Sequence, residues 1–233
     1  MKIKVIASGS SGNCYVIDDG KTKLMIEAGL PINKIKKALN YKLHEIDAVL
    51  ISHEHNDHAM AVKDLTALGI DVYMSFVTGL YLGLHPNEFY EAQEKFTNYI
   101  GSFNVTPFKT IHDCKDPLGF IVYSKVTKET LLFATDTAYI PYMFSDLNYI
   151  MIECNYDLDI LNENVEKGLI SQERKNRLLQ SHFSLGHCKE FLLANDLSNV
   201  YAIYLLHLSN ENSDAEKFKR EISELTGKMV YIA

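Results

Sequence analysis

The chain of 233 residues has no tryptophan, only five prolines and no apolar run approaching the ~20 residues that a membrane-spanning helix needs. Its opening segment, Met1–Ile6, alternates polar and apolar side chains and forms no apolar block like that of a secretory signal peptide. The prolines are scattered, and no Pro-, Gly- or Ser-rich linker interrupts the chain. We therefore expect a single domain over residues 1–233 that is soluble, cytoplasmic and without a membrane partner.

An excess of positive charge is also missing, since 23 Lys and Arg face 30 Asp and Glu and the net charge is −7. This balance argues against a broad basic surface for nucleic acid, although it leaves room for a local basic groove. The four cysteines (Cys14, Cys114, Cys154 and Cys188) form no C-x-x-C pair. Neither a zinc ribbon nor a disulfide framework is indicated, and isolated thiols suit a reducing cytosol.

The apolar periodicity predicts two groups of strands, with helices between and after them. Strands of the first group are predicted at Lys2–Ala7, Asn13–Ile17, Lys23–Ile26 and Asp47–Ser52. Strands of the second group are predicted at Asn104–Ile111, Gly119–Ser124, Thr130–Thr135, Tyr149–Ile152, Val200–Leu206 and Met229–Ile232. This order suggests two packed sheets with outer helices.

Helices are indicated by apolar residues at helical spacing. They are predicted from Pro31, over His58–Leu68, and at Asp157–Lys167, Gln172–Gln180 and Leu185–Ala194. Ser213 with Glu216 has the spacing of a capping box that begins the last helix. Its inner face is predicted to comprise Ala215, Phe218, Ile222 and Leu225.

The densest chemistry lies in the string His53-Glu54-His55-Asn56-Asp57-His58, directly after a buried strand. Neutral imidazole suits Zn²⁺ or Mn²⁺, and a carboxylate adds a hard oxygen ligand. In a turning loop, side chains two residues apart can converge on one ion. The alternative is a polar loop whose histidines cap the next helix, but three histidines and an aspartate at this spacing favour a metal site.

This His-x-His-x-Asp-His string resembles the signature of the metallo-β-lactamase superfamily. The resemblance implies an α/β fold, the four-layer αββα sandwich, with two divalent metal ions (Zn²⁺ or Mn²⁺) at one edge of its sheets. It also implies further ligands just after later strands. His112, Asp136 and His207 each follow a predicted strand in the required order.

Matched residue by residue, the resemblance implies two metal sites that share one carboxylate. The first ion would be bound by His53, His55 and His112, and the second by Asp57, His58 and His207. Asp136 would bridge both ions, as two cations roughly 3.5–4 Å apart require a shared anion. Two alternatives stay open at this point, namely Asp136 as a turn residue and His112 as a capped loop histidine.

Three further stretches, residues 7–13, 152–157 and 207–212, resemble motifs of the YycJ/WalJ-like branch of this superfamily. That branch contains DNA exonucleases, and its distant relatives include RNase Z and cyclic phosphodiesterases. The chain departs from the branch at Ser181-His182-Phe183-Ser184-Leu185, where the branch tends to have Gly-His-Leu-Ser-Asn. This departure leaves the substrate less well defined than the metal chemistry.

Asp57 and His182 are the candidates for catalytic roles. By the resemblance, His182 contacts the scissile phosphate, where an acid contributes roughly 10²–10⁴-fold in rate; the alternative is a histidine at a helix end. Ser10, Ser11 and Asn13, together with His182, are candidates for substrate binding, although their loop equally suits a tight turn. His44, His85 and His187 are interpreted as structural or surface residues, whereas Tyr139 and Tyr142 are expected to line the pocket.

The function predicted from these residues is a dinuclear metal-dependent phosphodiesterase, specifically a DNA exonuclease-like nuclease that uses a metal-bridging hydroxide. Its partner is a nucleic acid or nucleotide substrate, and self-association into a homo-oligomer stays open. The first alternative is a small cyclic-nucleotide phosphodiesterase, and the second a thioesterase, lactonase or glyoxalase. A di-iron redox protein is disfavoured because no flavodoxin-like domain is present, and an inactive binding module because all seven ligand positions are intact.

Overall fold

The computed structural model describes all 233 residues, Met1–Ala233, and the chain divides into two compact units. The first unit comprises Met1–Lys109 and Cys114–Glu129, and the second comprises Thr110–Asp113 and Thr130–Ala233. The expectation of a single domain stays a prediction. None of the helices has the length and apolar composition required to cross a membrane.

The first unit contains a mixed six-stranded sheet whose strands follow one another in chain order. Its strands are β1 (Lys2–Ala7), β2 (Cys14–Asp18), β3 (Lys23–Ile26), β4 (Ala48–Leu50), β5 (Val72–Met74) and β6 (Tyr90–Glu91). Strands β1 to β3 pair antiparallel, whereas β3 to β6 pair parallel. Because β3 and β4 run parallel, their carboxyl ends lie at the same edge of the sheet.

Four short helices and three further strands complete the first unit. The helices are α1 (Ile32–Ala38), α2 (Asn56–Ala59), α3 (Val62–Ala67) and α4 (Phe76–Tyr81). The strands β7 (Asn98–Ile100), β8 (Phe103–Lys109) and β9 (Leu118–Ser124) pair antiparallel. A core of buried apolar side chains, among them Met25, Val49 and Leu65, packs helices α1 and α3 against the six-stranded sheet.

The second unit contains four parallel strands, with β10 and β13 at opposite ends of the series. These strands are β10 (Thr130–Ala134), β11 (Tyr149–Glu153), β12 (Ala202–Leu206) and β13 (Met229–Ile232). Its helices are α5 (Leu158–Glu166), α6 (Gln172–Ser181), α7 (Leu185–Ala194) and α8 (Ala215–Thr226). Strands β10, β11 and β12 are nearly continuous, mostly buried apolar runs, as parallel strands covered on both faces require, whereas the last strand, β13, is partly exposed. Their carboxyl ends share one edge.

All the predicted strands are present, but three predictions differ from the structure. The predicted helix His58–Leu68 is interrupted between α2 and α3. Strands β5, β6 and β7 and helix α4 were not predicted, because two to six residues carry too little periodicity to be recognised. The predicted capping box is wrong: Asp214 caps helix α8 by accepting a hydrogen bond from the Lys217 N–H, while Ser213 Oγ donates to the Ser209 carbonyl.

Candidate metal centre

The histidine cluster of the first unit lies just beyond the carboxyl end of strand β4. That strand is buried along its whole length, and two buried residues lead from it into His53. Helix α2 begins directly after His55, which occupies the N-cap position. His53 and His58 are fully buried, whereas the Asp57 side chain is 27% exposed. The cluster therefore combines buried imidazoles with a carboxylate that solvent can reach.

Two imidazoles of this cluster have the geometry of ligands to a single ion. His53 Nε2 lies 3.1 Å from His55 Nδ1, and Ser52 Oγ lies 2.8 Å from His53 Nδ1. Two nitrogens bound to one tetrahedral Zn²⁺ at ~2.0–2.1 Å would be about 3.3 Å apart. The observed separation therefore fits a shared ion, with Ser52 orienting the His53 ring through its other nitrogen.

Asp57 and His58 form the second part of the cluster. Asp57 Oδ2 lies 3.5 Å from His58 Nε2, and the rings of His53 and His58 have centroids 4.2 Å apart. The Asn13 amide also approaches His58, with Nδ2 3.1 Å from Nε2. An imidazole and a carboxylate at this separation are suitable donors for a divalent cation.

Glu27 is a site residue to which the sequence analysis assigned no role. It directly follows strand β3, is fully buried and has a left-handed backbone with φ of 63°. Its Oε2 lies 3.6 Å from His58 Nδ1, and its Oε1 is buried without a hydrogen-bond partner. Burial raises the pKa of Glu27. A cation bound to His58 would favour the ionised carboxylate, so Glu27 is placed to orient this histidine.

The glycine-rich loop holds Asn13 in a structural position. Asn13 is fully buried; its Oδ1 accepts hydrogen bonds from the Gly9 N–H (2.9 Å) and the Tyr15 hydroxyl (3.0 Å). Its Nδ2 donates to the carbonyls of Gly9 and Asp57. Ser10 and Ser11, in contrast, are exposed. The three residues proposed to bind substrate thus have different surroundings, and their substrate contacts stay a prediction.

In the second unit, three polar residues lie at the carboxyl ends of adjacent parallel strands. Glu153 is the last residue of β11, His207 directly follows β12, and Asp136 lies two residues beyond β10. All three are buried. Asp136 and His207 have left-handed backbones, with φ of 43° and 52°. Non-glycine residues in this conformation are uncommon and concentrate at functional sites.

Glu153 organises the second unit's cluster by accepting four hydrogen bonds. Its Oε1 lies 2.7 Å from His182 Nδ1 and 3.2 Å from His207 Nδ1. Its Oε2 accepts from the backbone N–H groups of Thr137 (2.9 Å) and Phe183 (3.0 Å). Burial alone would raise the pKa of Glu153, but the positive charge of His182 and these donors outweigh it and lower the pKa. An ionised Glu153 therefore holds both imidazoles by Nδ1, and for His182 this leaves Nε2 to act.

His182 occupies the C-cap position of helix α6, as the alternative interpretation of the sequence expected, but it also joins the cluster. Its ring stacks on that of His207 with centroids 5.5 Å apart. Burial alone would lower the pKa of His182, whereas the adjacent Glu153 carboxylate reverses the effect and raises it. A histidine whose protonated form is favoured in this way is suited to donate a proton.

His112 joins the same cluster from the segment Thr110–Asp113. Its Nδ1 lies 2.7 Å from the Ser181 carbonyl oxygen, so this nitrogen carries the proton. Its Nε2 lies 3.6 Å from Asp136 Oδ2. Burial lowers the pKa of His112, which favours the neutral imidazole that binds metal ions.

The structure brings together the sequence-predicted metal ligands within each unit. In the second unit, one donor atom from each of Asp136, Glu153, His182 and His207 lies within 4.8 Å of the others. Both units thus offer imidazoles and carboxylates, the donors that suit Zn²⁺ or Mn²⁺. The sequence patterns predicted no role for Glu27 or Glu153, although both lie in the site. The signal that could have identified them is a lone acidic residue at the end of an apolar strand.

The remaining predicted residues lie apart from these donors. His44 and His85 are exposed, as expected of surface histidines. His187, interpreted as structural or surface, is half-buried and lines a cavity of about 240 Å³ in the second unit. Tyr139 and Tyr142 line the same cavity, and their expected place in the pocket of the metal centre stays a prediction.

Comparison with protein families and curated proteins gives consistent matches. The sequence profile of the metallo-beta-lactamase superfamily matches residues 7–141. The chain is 32% identical to the exodeoxyribonuclease WalJ of Streptococcus pneumoniae, over 92% of this chain and 84% of WalJ. It is 26% identical to the exodeoxyribonuclease YycJ of Bacillus anthracis, over 97% of this chain and 89% of YycJ.

Comparison with solved structures shows the fold. The metallo-beta-lactamase fold protein YhfI from Bacillus subtilis matches with a TM-score of 0.72 at 16% sequence identity, covering 99% of this chain and 95% of YhfI. At this identity the likeness concerns the fold alone. It confirms the predicted α/β class, the αββα sandwich.

Proposed function

The chain belongs to the metallo-beta-lactamase superfamily and is a hydrolase, and from this premise we propose that it cleaves phosphodiester bonds in nucleic acid, working from the ends of DNA. The observation that carries the proposal is the 32% identity to an exodeoxyribonuclease over most of both chains. The donor sets of the two units support the hydrolytic chemistry.

Two divalent ions are the cofactors in this proposal. One ion would be held by His53, His55 and His112 and the other by Asp57, His58 and His207, with Asp136 as a ligand shared by the two. The 3.1 Å separation of the His53 and His55 nitrogens and the neutral state favoured for His112 support this division. When bound, two such cations lower the pKa of a water to supply a nucleophile and stabilise charge on the phosphate oxygens.

His182 acts on the leaving group in this proposal. Glu153 holds His182 by Nδ1 at 2.7 Å and raises its pKa, which leaves Nε2 to donate a proton to the leaving oxygen. Glu153 itself is a positioning residue, because its carboxylate is fully buried and all its contacts are internal. Asp57 is the other candidate for a catalytic role, as its side chain is partly exposed.

Substrate choice is tested with purified, metal-loaded protein and a panel of linear DNA, closed circular DNA, RNA, cyclic mononucleotides, a thioester and a lactone. We expect mononucleotides to be released from linear DNA, with little cleavage of the closed circle. The exposed-histidine variant His85→Ala is the control and should behave as wild type. Turnover of cyclic mononucleotides without nucleotide release from DNA or RNA would contradict the nuclease assignment. Turnover restricted to thioesters or lactones would contradict phosphodiester chemistry altogether.

A further inference from the structure

One cavity of the second unit is not used by the proposed chemistry. It has a volume of about 240 Å³ and lies between residues 139–143 and the side chains of helix α7. Phe183 and His187 contribute to its lining. Tyr139, at its rim, is 52% exposed. The cavity is therefore open to a ligand from solvent.

The walls of this cavity are anchored to the candidate metal centre through Glu153. Its Oε2 accepts a hydrogen bond from the Phe183 N–H, at the start of one wall. The same oxygen accepts from the Thr137 N–H, and Thr137 Oγ1 donates to the Tyr139 carbonyl at 2.8 Å, at the start of the other wall. Asp136 and His182 each directly precede one of these anchoring residues. Both walls of the cavity thus continue directly from residues of the candidate centre.

The lining of the cavity selects an uncharged aromatic group. Four of its eleven lining side chains are tyrosine or phenylalanine, and none is lysine or arginine. Its acidic member is Glu190, which repels anions. A second phosphate is therefore a poor occupant, whereas a flat heteroaromatic ring can stack on tyrosine.

His187 supplies the polar group that such a ring needs. The Tyr139 and His187 rings stand edge to face, with centroids 6.5 Å apart and planes inclined at 78°. His187 Nδ1 is buried and has no hydrogen-bond partner, which is uncommon for a polar atom in a folded protein. His187 itself lines the cavity, and no hydrogen bond holds this nitrogen in its present position.

We propose that this cavity binds a nucleobase of the substrate, beside the phosphodiester bond that is cut. Tyr139 stacks on the base, and His187 forms a hydrogen bond with the edge of the base. The inference rests on the proposed nuclease function, because a nucleic acid carries an uncharged aromatic ring next to every phosphodiester. It deepens that function by identifying the residues that recognise the nucleotide.

The test compares labelled single-stranded oligonucleotides, blocked at one end, that differ only in one base. One is intact, and two carry a reduced abasic residue at the terminal or the penultimate position. For wild type, kcat/KM should fall at least tenfold for one of the abasic substrates, as the loss of one stacked base implies. Tyr139→Ala and His187→Ala should remove this preference by slowing cleavage of the intact substrate alone, whereas Tyr139→Phe should retain it. Tyr201→Ala, at a tyrosine that is 56% exposed elsewhere in the unit, is the matched control.

A second measurement does not depend on activity. NMR saturation transfer to the base protons of thymidine, which has no phosphodiester to cleave, should occur in wild type and in Tyr201→Ala but be lost in Tyr139→Ala. If no oligonucleotide is cleaved, the proposed function fails, and this measurement still decides the cavity. Equal rates on intact and abasic substrates in wild type, or saturation transfer unchanged in Tyr139→Ala, would overturn the nucleobase site.

Discussion

Individual residues at the strand ends adopt backbone conformations that an ordinary loop avoids. Glu27, Asp136 and His207 have φ values of 63°, 43° and 52°, and each follows a buried strand. Such a conformation costs on the order of 1–3 kcal/mol for a non-glycine residue and persists only where the surroundings enforce it. The strain falls on residues whose side chains meet other polar groups of the candidate centre, which links it to their function.

Replacement of the proposed bridging carboxylate, Asp136, tests the assignment of the metal ligands. Asp136→Asn keeps the size of the side chain but removes the anion that two cations share, so we expect loss of at least one ion per chain and of most activity. Elemental analysis of the purified variant measures the ion content. Asp146→Asn is the matched control, because Asp146 is exposed and also has a left-handed backbone, with φ of 57°. Full metal content in Asp136→Asn would refute a bridging role.

His182→Ala separates proton donation from metal binding. We expect unchanged metal content and a decrease of at least tenfold in kcat, since a positioned acid contributes roughly 10²–10⁴-fold. The deficit should shrink with a p-nitrophenolate leaving group, which needs no protonation. Glu153→Gln should also lower kcat, because Glu153 acts through its hydrogen bonds to the rings of His182 and His207. Loss of an ion in His182→Ala would make this histidine a ligand instead.

In the first unit, a backbone junction that joins Asn13, Gly29 and Asp57 depends on the glycine. Gly29 N–H donates to the Asn13 carbonyl, and Asn13 N–H donates to the Asp57 carbonyl at 2.8 Å. A Cβ atom at Gly29 would lie 1.6 Å from the Asp57 oxygen, so the strand ends and helix α2 approach too closely for any side chain. This junction fixes the turn that presents Asp57 and His58.

Gly29→Ala should therefore distort the turn that presents these ligands. We expect a loss of stability of about 1–3 kcal/mol or more, as in other overpacked sites, together with reduced metal content. Urea unfolding and elemental analysis measure the two effects. Gly186→Ala is the control, because its Cβ would meet only Ser184 Oγ at 3.6 Å, and alanine favours the helix in which it lies. Wild-type stability and metal content in Gly29→Ala would show that the junction can relax.

Helices α5 and α8 are linked through the side chain of Asp157. It caps α5 by accepting from the Asp159 and Ile160 N–H groups, and it accepts from Lys217 Nζ at 2.8 Å. Burial alone would raise the pKa of Asp157, but the hydrogen bonds from Lys217 and the backbone outweigh it and lower the pKa. A carboxyl with a lowered folded pKa stabilises the protein above its ordinary pKa of about 3.9, and this stabilisation is lost as the pH falls toward the folded value.

Asp157→Ala should accordingly cost about 1–2 kcal/mol at neutral pH. The difference in unfolding free energy between Asp157→Ala and wild type should stay constant down to about pH 5 and decrease as the pH falls below about 4. Denaturant unfolding across this pH range measures the difference. The control is Asp214→Ala, which removes the cap of helix α8. In that cap, the Asp214 carboxylate accepts a hydrogen bond from the backbone N–H of Lys217. A difference from wild type that does not change with pH would contradict an ionised, paired Asp157.

For the whole molecule, a net charge of −7 opposes the approach of a polyanion. Under the proposed function, binding of nucleic acid would then depend on local contacts with several phosphates. Binding of a linear oligonucleotide should therefore weaken steeply from low to physiological salt, as released counterions require. A cyclic mononucleotide, with one phosphate, should respond weakly. Measurement of kcat/KM for both substrates over a salt series tests this contrast. A flat salt response for the oligonucleotide would contradict polymer binding.

Much of the architecture was predictable because apolar periodicity is a local signal. The predicted bounds match the structure for several elements, among them strands Lys23–Ile26 and Met229–Ile232 and helix Leu185–Ala194. The elements that escaped prediction, such as β6 (Tyr90–Glu91), are too short to show a period and form through pairing with a neighbouring strand. The capping box failed for a related reason, since Ser213 and Asp214 both suit an N-cap and the surrounding chain selects between them.

By itself, the sequence determined the family, the α/β class and the identity of the candidate ligands, because the spacing of His53 to His58 and the residues after each strand are local patterns. Only the tertiary structure decided how these side chains are held. Glu153 contacts His182 and His207 across 29 and 54 residues, and Glu27 faces His58 across 31. No local pattern encodes such contacts, because they arise when parallel strands bring their carboxyl ends to one edge. Hydrogen bonds to a buried carboxylate then hold the rings of His182 and His207 by Nδ1.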